Sequence, residues 1–297
     1  MRASVMTLAN GAGSVRIHAY DTAAAMFRAN LDAAENPNVR MWATPGNAFY
    51  GRLTWGNMRD ALTGAYRLPD AYSQIVAALP PLGDDTDHRT IRAVAGSRPN
   101  VPAHIAGSVR SMWHTRAVDV PDAPIRICCE FGGWANYSAE LISALNTGAV
   151  AAALSLRQAG GAVEFYVAKI TGHAEEKKTA LMVTCPVELD AADPYTLAAV
   201  AHSGMMRMNI CAEINSERAT TEQYTPTTGR ACPLAFTRQA ITQWANGTAV
   251  VFVSALWQSP EYCDPALLAA AHAGPIAVRD YVLAQVDALT VPAVPTY

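Results

Sequence analysis

The sequence predicts an α/β fold, a mostly parallel sheet with helices on both faces, preceded by an α+β N-terminal region. Two observations carry this. Ile125 to Thr171 reads as strand, glycine turn, long helix, Gly-Gly stop and second apolar strand, which is a β-α-β unit. Strand-like and helix-like runs then continue to alternate as far as Leu289, the pattern of strands joined by crossover helices. Composition agrees: 297 residues, 51% hydrophobic and 16% charged, are enough to bury a full-sized core.

Taken in order, Ser14 to Ala19 is a short alternating stretch, and Asp21 or Thr22 can cap the helix TAAAMFRANLDAAE, which ends at Asn36-Pro37. An aromatic-rich stretch follows, with Thr54 suited to cap WGNMRDALT and Gly64 suited to stop it. Trp42, Phe49, Tyr50, Trp55 and Tyr66 could form a recognition surface. The simpler reading makes them the core of a small subdomain. A helix from Asp70 to Leu79 stops at Pro80-Pro81. Leu82 to Ala95 is the most polar segment; its Asp84, Asp85 and Asp87 lack the ligand series of a calcium loop, so it reads as a solvated linker. His88, His104 and His114 stand too far apart for a local ligand set. This divides the chain into an N-terminal region, 1–120, and an α/β domain, 121–297.

In the second part, Ile125, Ile127, Cys129 and Phe131 share one face of the first strand, and Glu130 emerges at its carboxyl end. The helix Ser138 to Ala159 has a serine cap, Glu140 in its first turn and Arg157 in its last, matching the helix dipole. Ala162 to Thr171 is a strand, and the polar tip GHAEEKK turns it into an antiparallel partner, Thr179 to Leu189. Pro194 to Met208 is a helix whose Met205, Met206 and Met208 suit either packing or an adaptable contact face. ICAEI could be a strand; Leu234 to Asn246 is a helix, Thr248 to Leu256 an apolar strand, and Pro265 to Leu289 a helix broken at Gly274-Pro275.

The formal charge of -3 gives no electrostatic reason to expect nucleic acid or an anionic membrane. The six cysteines include no CxxC pair, and Cys128 and Cys129 must face opposite ways, so they read as buried free thiols of a reducing compartment. No uncharged apolar run reaches the length of a membrane span, and the N-terminus lacks a signal-peptide core. The expectation is a cytoplasmic protein (in a host, the host cytoplasm) or a virion-associated one.

In open α/β sheets ligands bind beyond the carboxyl ends of the strands, where strand order reverses. That places a candidate contact edge at Glu130, Gly132, Gly133, Trp134, Asn136 and Ser138, together with Trp257 and Tyr262.

The succession of strand, long helix, strand, hairpin strand and further helices and strands over Pro124 to Leu289 resembles a von Willebrand factor A (vWA) domain, within the wider Rossmann-like class. VPAHIAGSVRSMWHTR and FYGRLTWGNMRDALTGAY are also similar to phage-encoded proteins of unknown function that carry such an α/β half. The resemblance implies a divalent-metal site with a DxSxS motif after the first strand. Here Glu130 takes the aspartate position, while Gly132 and Trp134 fall where hydroxyls belong, so a degenerate site and no metal or other cofactor are expected.

Other chemistry finds little support. EFGGWANYS matches neither GxGxxG nor GxxxxGK[ST]. His173, Glu175 and Cys185 depart from the zinc deaminase pattern in the order of proline and cysteine. Ser138, Asp190 and His202 could meet as a triad only by tertiary accident. The expected function is therefore non-catalytic: protein–protein contact or self-association in phage particle assembly or in engaging host machinery. The alternatives are a nucleotide or nucleic-acid binder using Arg126, Arg157 and Arg207 at the crevice, and an unrecognised hydrolase.

Overall fold

A computed structural model describes residues 1–9, 13–33, 53–66, 68, 71–80, 90–93, 98–99, 112–115, 124–130, 137–159, 161–171, 179–189, 194–209, 212, 232–254 and 263–290. The strands are β1 (Arg2–Thr7), β2 (Ser14–Ala19), β3 (Thr90–Ala93), β4 (Arg98–Pro99), β5 (Met112–Thr115), β6 (Ile125–Cys129), β7 (Val163–Thr171), β8 (Thr179–Pro186) and β9 (Val250–Val253). The helices are α1 (Ala23–Ala33), α2 (Trp55–Leu62), α3 (Ala71–Ala78), α4 (Ala139–Gln158), α5 (Pro194–Ala201), α6 (Leu234–Ala245), α7 (Pro265–Ala273) and α8 (Pro275–Thr290).

The fold is α/β, but the sheet is mixed and not mostly parallel. Its order is β1-β2-β8-β7-β6-β9. Pairs β2–β8, β7–β6 and β6–β9 are parallel; β1–β2 and β8–β7 are antiparallel. The β7–β8 hairpin was legible in the sequence. What was not is that β2 follows the reversed β8 in parallel, so β8 and β2 both run against the β7-β6-β9 group. Residues 1–33 thus supply two strands and a helix to the same sheet layer as the later elements. A separate three-stranded sheet, β3-β5-β4, includes part of the stretch expected to be linker.

Local chemistry explains the helix ends. Thr22 Oγ1 accepts the Ala25 N–H at the start of α1. Thr54 and Asn57 form a capping box on α2, each side chain accepting the other residue's backbone N–H. Ser138 caps α4 by accepting the Leu141 N–H, and Asp264 caps α7. The helix expected to run unbroken from 194 to 208 stops at Ala201, and residues 203–209 form a second helical segment. His202 makes the break, its Nδ1 accepting the N–H groups of Gly204 and Met205. ICAEI lies mostly outside the described residues, and its Ala212 is helical.

Strand alternation splits the core in two. Ile125, Ile127, Cys129, Phe165 and Val167 pack on one face with α1 to α5, α7 and α8, while Cys128, Ala168 and Ile170 pack on the other with Phe236, Ala240 and Ile241 of α6. Met205, Met206 and Met208 belong to the first cluster, so they are packing residues and not a contact face. Cys128, Cys129, Cys185, Cys232 and Cys263 are buried free thiols. Burial pushes the Cys128 thiol up to about 12 and Cys129 well above its ordinary value, so neither is a nucleophile at neutral pH. α4 is long and apolar enough to cross a membrane by length and composition; 61% of its most apolar window is buried against the rest of the fold.

Two buried amides are treated differently. Asn30 Nδ2 donates to Asn209 Oδ1 at 3.1 Å and so ties α1 to the 203–209 segment. Asn146, fully buried in the middle of α4, has neither side-chain atom hydrogen-bonded. An orphaned buried polar group costs its desolvation without return. Asn146→Leu keeps a similar branched shape and removes that cost; the expected result is a gain of about 1–2 kcal/mol in the free energy of urea unfolding. No gain, or a loss, would show that Asn146 holds something its neighbours do not reveal.

Candidate functional site at the carboxyl ends of β6, β7 and β9

From β6 the chain crosses through α4 to β7 on one side, and later enters β9 on the other side of β6. The reversal of strand order therefore falls beside β6, where a crevice is expected. Glu130 follows β6, and its N–H donates to the Val253 carbonyl at 2.9 Å, which brings Ser254 alongside. Lys169, near the end of β7, donates from Nζ to Glu130 Oε1 at 2.8 Å. The side chains of Lys169 and Glu130 are only 5% and 8% exposed, so this is a buried ion pair, and both residues make further interactions. The Ser254 hydroxyl is buried with no hydrogen-bond partner. Arg207, also buried, donates to the Tyr137 carbonyl at 3.1 Å just before α4.

Of the residues expected at the contact edge, Glu130 and Ser138 are described, and Gly132, Gly133, Trp134, Asn136, Trp257 and Tyr262 lie outside the described residues. Ser138 lines a cleft of about 460 Å3 with Tyr137, Glu140, Leu141 and His272. The Glu140 carboxyl there is held below the usual carboxylate range by hydrogen bonds from its own backbone N–H and from Ser138.

The structure does not assemble the chemical alternatives. Ser138 is occupied as the α4 cap, and the His202 ring serves as backbone acceptor, its pKa lowered by burial. Asp190, the third candidate of the triad, lies outside the described residues. The arginines expected to share a crevice are split. Arg126 sits at the amino end of β6, bonded through Nε and Nη2 to Glu164 Oε2 at 2.9 and 2.6 Å. Its guanidinium carbon lies 4.9 Å from the Tyr166 ring centroid and 4.8 Å from that of Trp244. Arg157 belongs to the last turn of α4, which also leads down to the amino end of β7. Only Arg207 lies toward the carboxyl-end crevice.

The described residues at this edge do not fit the metal that the resemblance implies. A hard cation needs several oxygen donors free of competing positive charge. Glu130 already accepts from the Lys169 ammonium. Among the described residues no group of three or more His, Cys, Asp or Glu side chains could hold a metal ion.

Sequence reasoning missed two features. One is Lys169 itself. The chain has lysine only at 169, 177 and 178, and 169 is the lone cation of an apolar strand; that isolation signals a buried partner, and Glu130 on the adjacent strand end is the available one. The other is a groove of about 390 Å3 between α2, α3 and α5, lined by Tyr66, Leu68, Tyr72, Pro194, Tyr195 and Ala198. Tyr72, Val76 and Tyr195 are each 44–51% exposed. Gly64, at φ +78°, brings the turn after α2 against Tyr195, where a Cβ would lie 2.5 Å from the ring.

Residues 17–243 match the family described as Domain of unknown function (DUF7192). The chain belongs to that family. The match starts within β2 and ends within α6, so in this DUF7192 chain it takes in β6, β7 and the Glu130–Lys169 pair and stops short of β9. No curated protein and no solved structure matches the chain.

Proposed function

We propose that this DUF7192 chain is a non-catalytic protein that acts through protein–protein contacts on a vWA-like scaffold without a working metal site. The observation that carries the reading is the buried Glu130–Lys169 pair: the one carboxylate at the metal position of such a scaffold is neutralised from within. Support for the scaffold itself comes from the β6-α4-β7 crossover, the antiparallel β8 and the return to β9 beside β6. The extra strands β1 and β2 beyond β8 are a departure from what the resemblance implies. Exposed Tyr72 and Tyr195, which line an aromatic groove, suit a contact surface, since tyrosine offers large area at small entropic cost. A setting in phage assembly or host engagement belongs to the same proposal and rests on the resemblance alone.

The reading is tested by thermal unfolding with magnesium, with nucleotides and with single-stranded DNA. The expected result is an unchanged Tm in every case. A ligand that binds the folded state raises Tm by mass action, so a rise with magnesium would overturn the metal-free scaffold. A rise with nucleotides or DNA would move the function to the nucleic-acid alternative, with Arg207 as its first phosphate partner.

A further inference from the structure

We infer that the open edge of β1 is a self-association surface, on which a second copy of this chain pairs its own β1 in antiparallel fashion; this rests on the interaction reading and specifies its partner. Strand geometry decides which backbone groups are available. Leu8 N–H donates to the Gly13 carbonyl at 2.8 Å, in register with the β1–β2 pairing. Backbone groups alternate sides along an antiparallel strand, so Arg2, Ser4 and Met6 turn theirs toward β2, while Ala3, Val5 and Thr7 turn theirs outward. Two further contacts agree with this assignment. The Thr7 carbonyl accepts from Gln243 Nε2 at 2.7 Å, and the Ala9 N–H donates to Gln243 Oε1 at 3.1 Å, both from outside the β1–β2 pair.

Gln243 of α6 thus closes the edge at its Thr7 end by imitating a neighbouring strand. Among the described residues nothing pairs with the outward N–H and C=O groups of Ala3 and Val5, β1 being the last strand of the sheet. Among the described residues none of the usual devices blunts this stretch: it has no proline, lysine or bulge, its register runs unbroken, and only Met6 of its side chains is partly buried, against the core on the α6 side. Val5 is 70% exposed. The single charge, Arg2, is paired with Asp21 at 2.8 Å.

A two-fold axis at Ser4 lets Ala3 of one copy exchange both backbone hydrogen bonds with Val5 of the other, and the reverse. It sets Ser4 against its own copy and Arg2 against Met6, with no like charges opposed. The interface is isologous, so it closes at two copies and uses up this edge. A strand pair alone buries less surface than a stable interface, so the dimer is concentration-dependent.

The test is light scattering on the untagged full chain across a concentration series. The expected result is a monomer–dimer equilibrium that Val5→Pro abolishes without lowering the unfolding midpoint, because the proline removes only an outward N–H. Val5→Lys gives the same outcome without altering the backbone. Ser4→Pro, which removes an N–H bonded to β2, lowers the midpoint. A wild type that stays monomeric at every concentration overturns the inference. A dimer that persists in both Val5 variants also overturns it but leaves the interaction reading standing, with the Tyr72 and Tyr195 groove as the next surface. A Tm rise with nucleotide would sink the interaction reading without touching the β1 dimer.

Discussion

Lys169→Met lowers the free energy of unfolding by about 3–5 kcal/mol, because it takes the Lys169 ammonium away from a buried Glu130 carboxylate 2.8 Å distant. Both partners are almost fully enclosed, so solvent does little to screen the loss. Glu130→Gln produces a loss of similar size by removing the negative charge from beside the buried Lys169 ammonium. The double variant Lys169→Met/Glu130→Leu recovers most of it, since removing both charges together also removes the cost of burying them. A double-mutant cycle by urea unfolding reads this directly, and near-additive losses would show that the pair is not a coupled unit. The same variants bear on function. If Lys169 is what closes the site to cations, Lys169→Met gains a magnesium-dependent rise in Tm that the wild type lacks. A scaffold with no latent site shows none.

How much of this was legible in the sequence depended on whether the signal was local. The β6-α4-β7 unit and its hairpin were readable because each end is marked by nearby chemistry, such as the Ser138 cap and the polar tip after Thr171. The alternation of Cys128 and Cys129 between faces was readable from the two-residue period alone. What stayed hidden were pairings across long sequence separations. SVRIHA showed its alternation, but nothing in six residues says that its neighbour is β8, more than 160 residues away, or that the two run parallel. The sheet is mixed because β7–β8 and β1–β2 are antiparallel; the first of these hairpins was legible, whereas β1 and its pairing with β2 were not. The site divided in the same way. Glu130 could be placed at a strand end from its position, whereas its partner was found only by bringing β6 and β7 into register. The arginines failed as a set for the opposite reason: their shared charge suggested one phosphate site, but Arg126 and Arg157 stand at the amino ends of the strands. The tyrosine groove gathers residues from three helices, and no spacing in the chain announces it.

Gly148→Ala tests the packing that holds the helical layer against the sheet. α4 and α8 meet where Gly148 faces the first turn of α8, and a Cβ at 148 would lie 2.5 Å from the Pro275 carbonyl oxygen and 2.5 Å from Val278 Cβ. Helix propensity favours alanine by up to about 1 kcal/mol. The contact opposes it and wins, because the obstructing atoms are a backbone oxygen and a β-branched stem, neither of which can swing aside. The start of α8 is also fixed: Gly274, at φ +113°, ends α7, and Pro275 begins α8. The two helices must therefore separate, at a net loss of about 1–3 kcal/mol by urea unfolding. Gly56→Ala is the matched control. It lies in the first turn of α2, where a Cβ meets only Thr54 Oγ1 at an ordinary 3.6 Å, so propensity acts alone and stability rises by about 0.5–1 kcal/mol. If both alanines stabilised the protein, α4 and α8 would have to pack less closely than described, and the Pro275 carbonyl would have to sit away from Gly148.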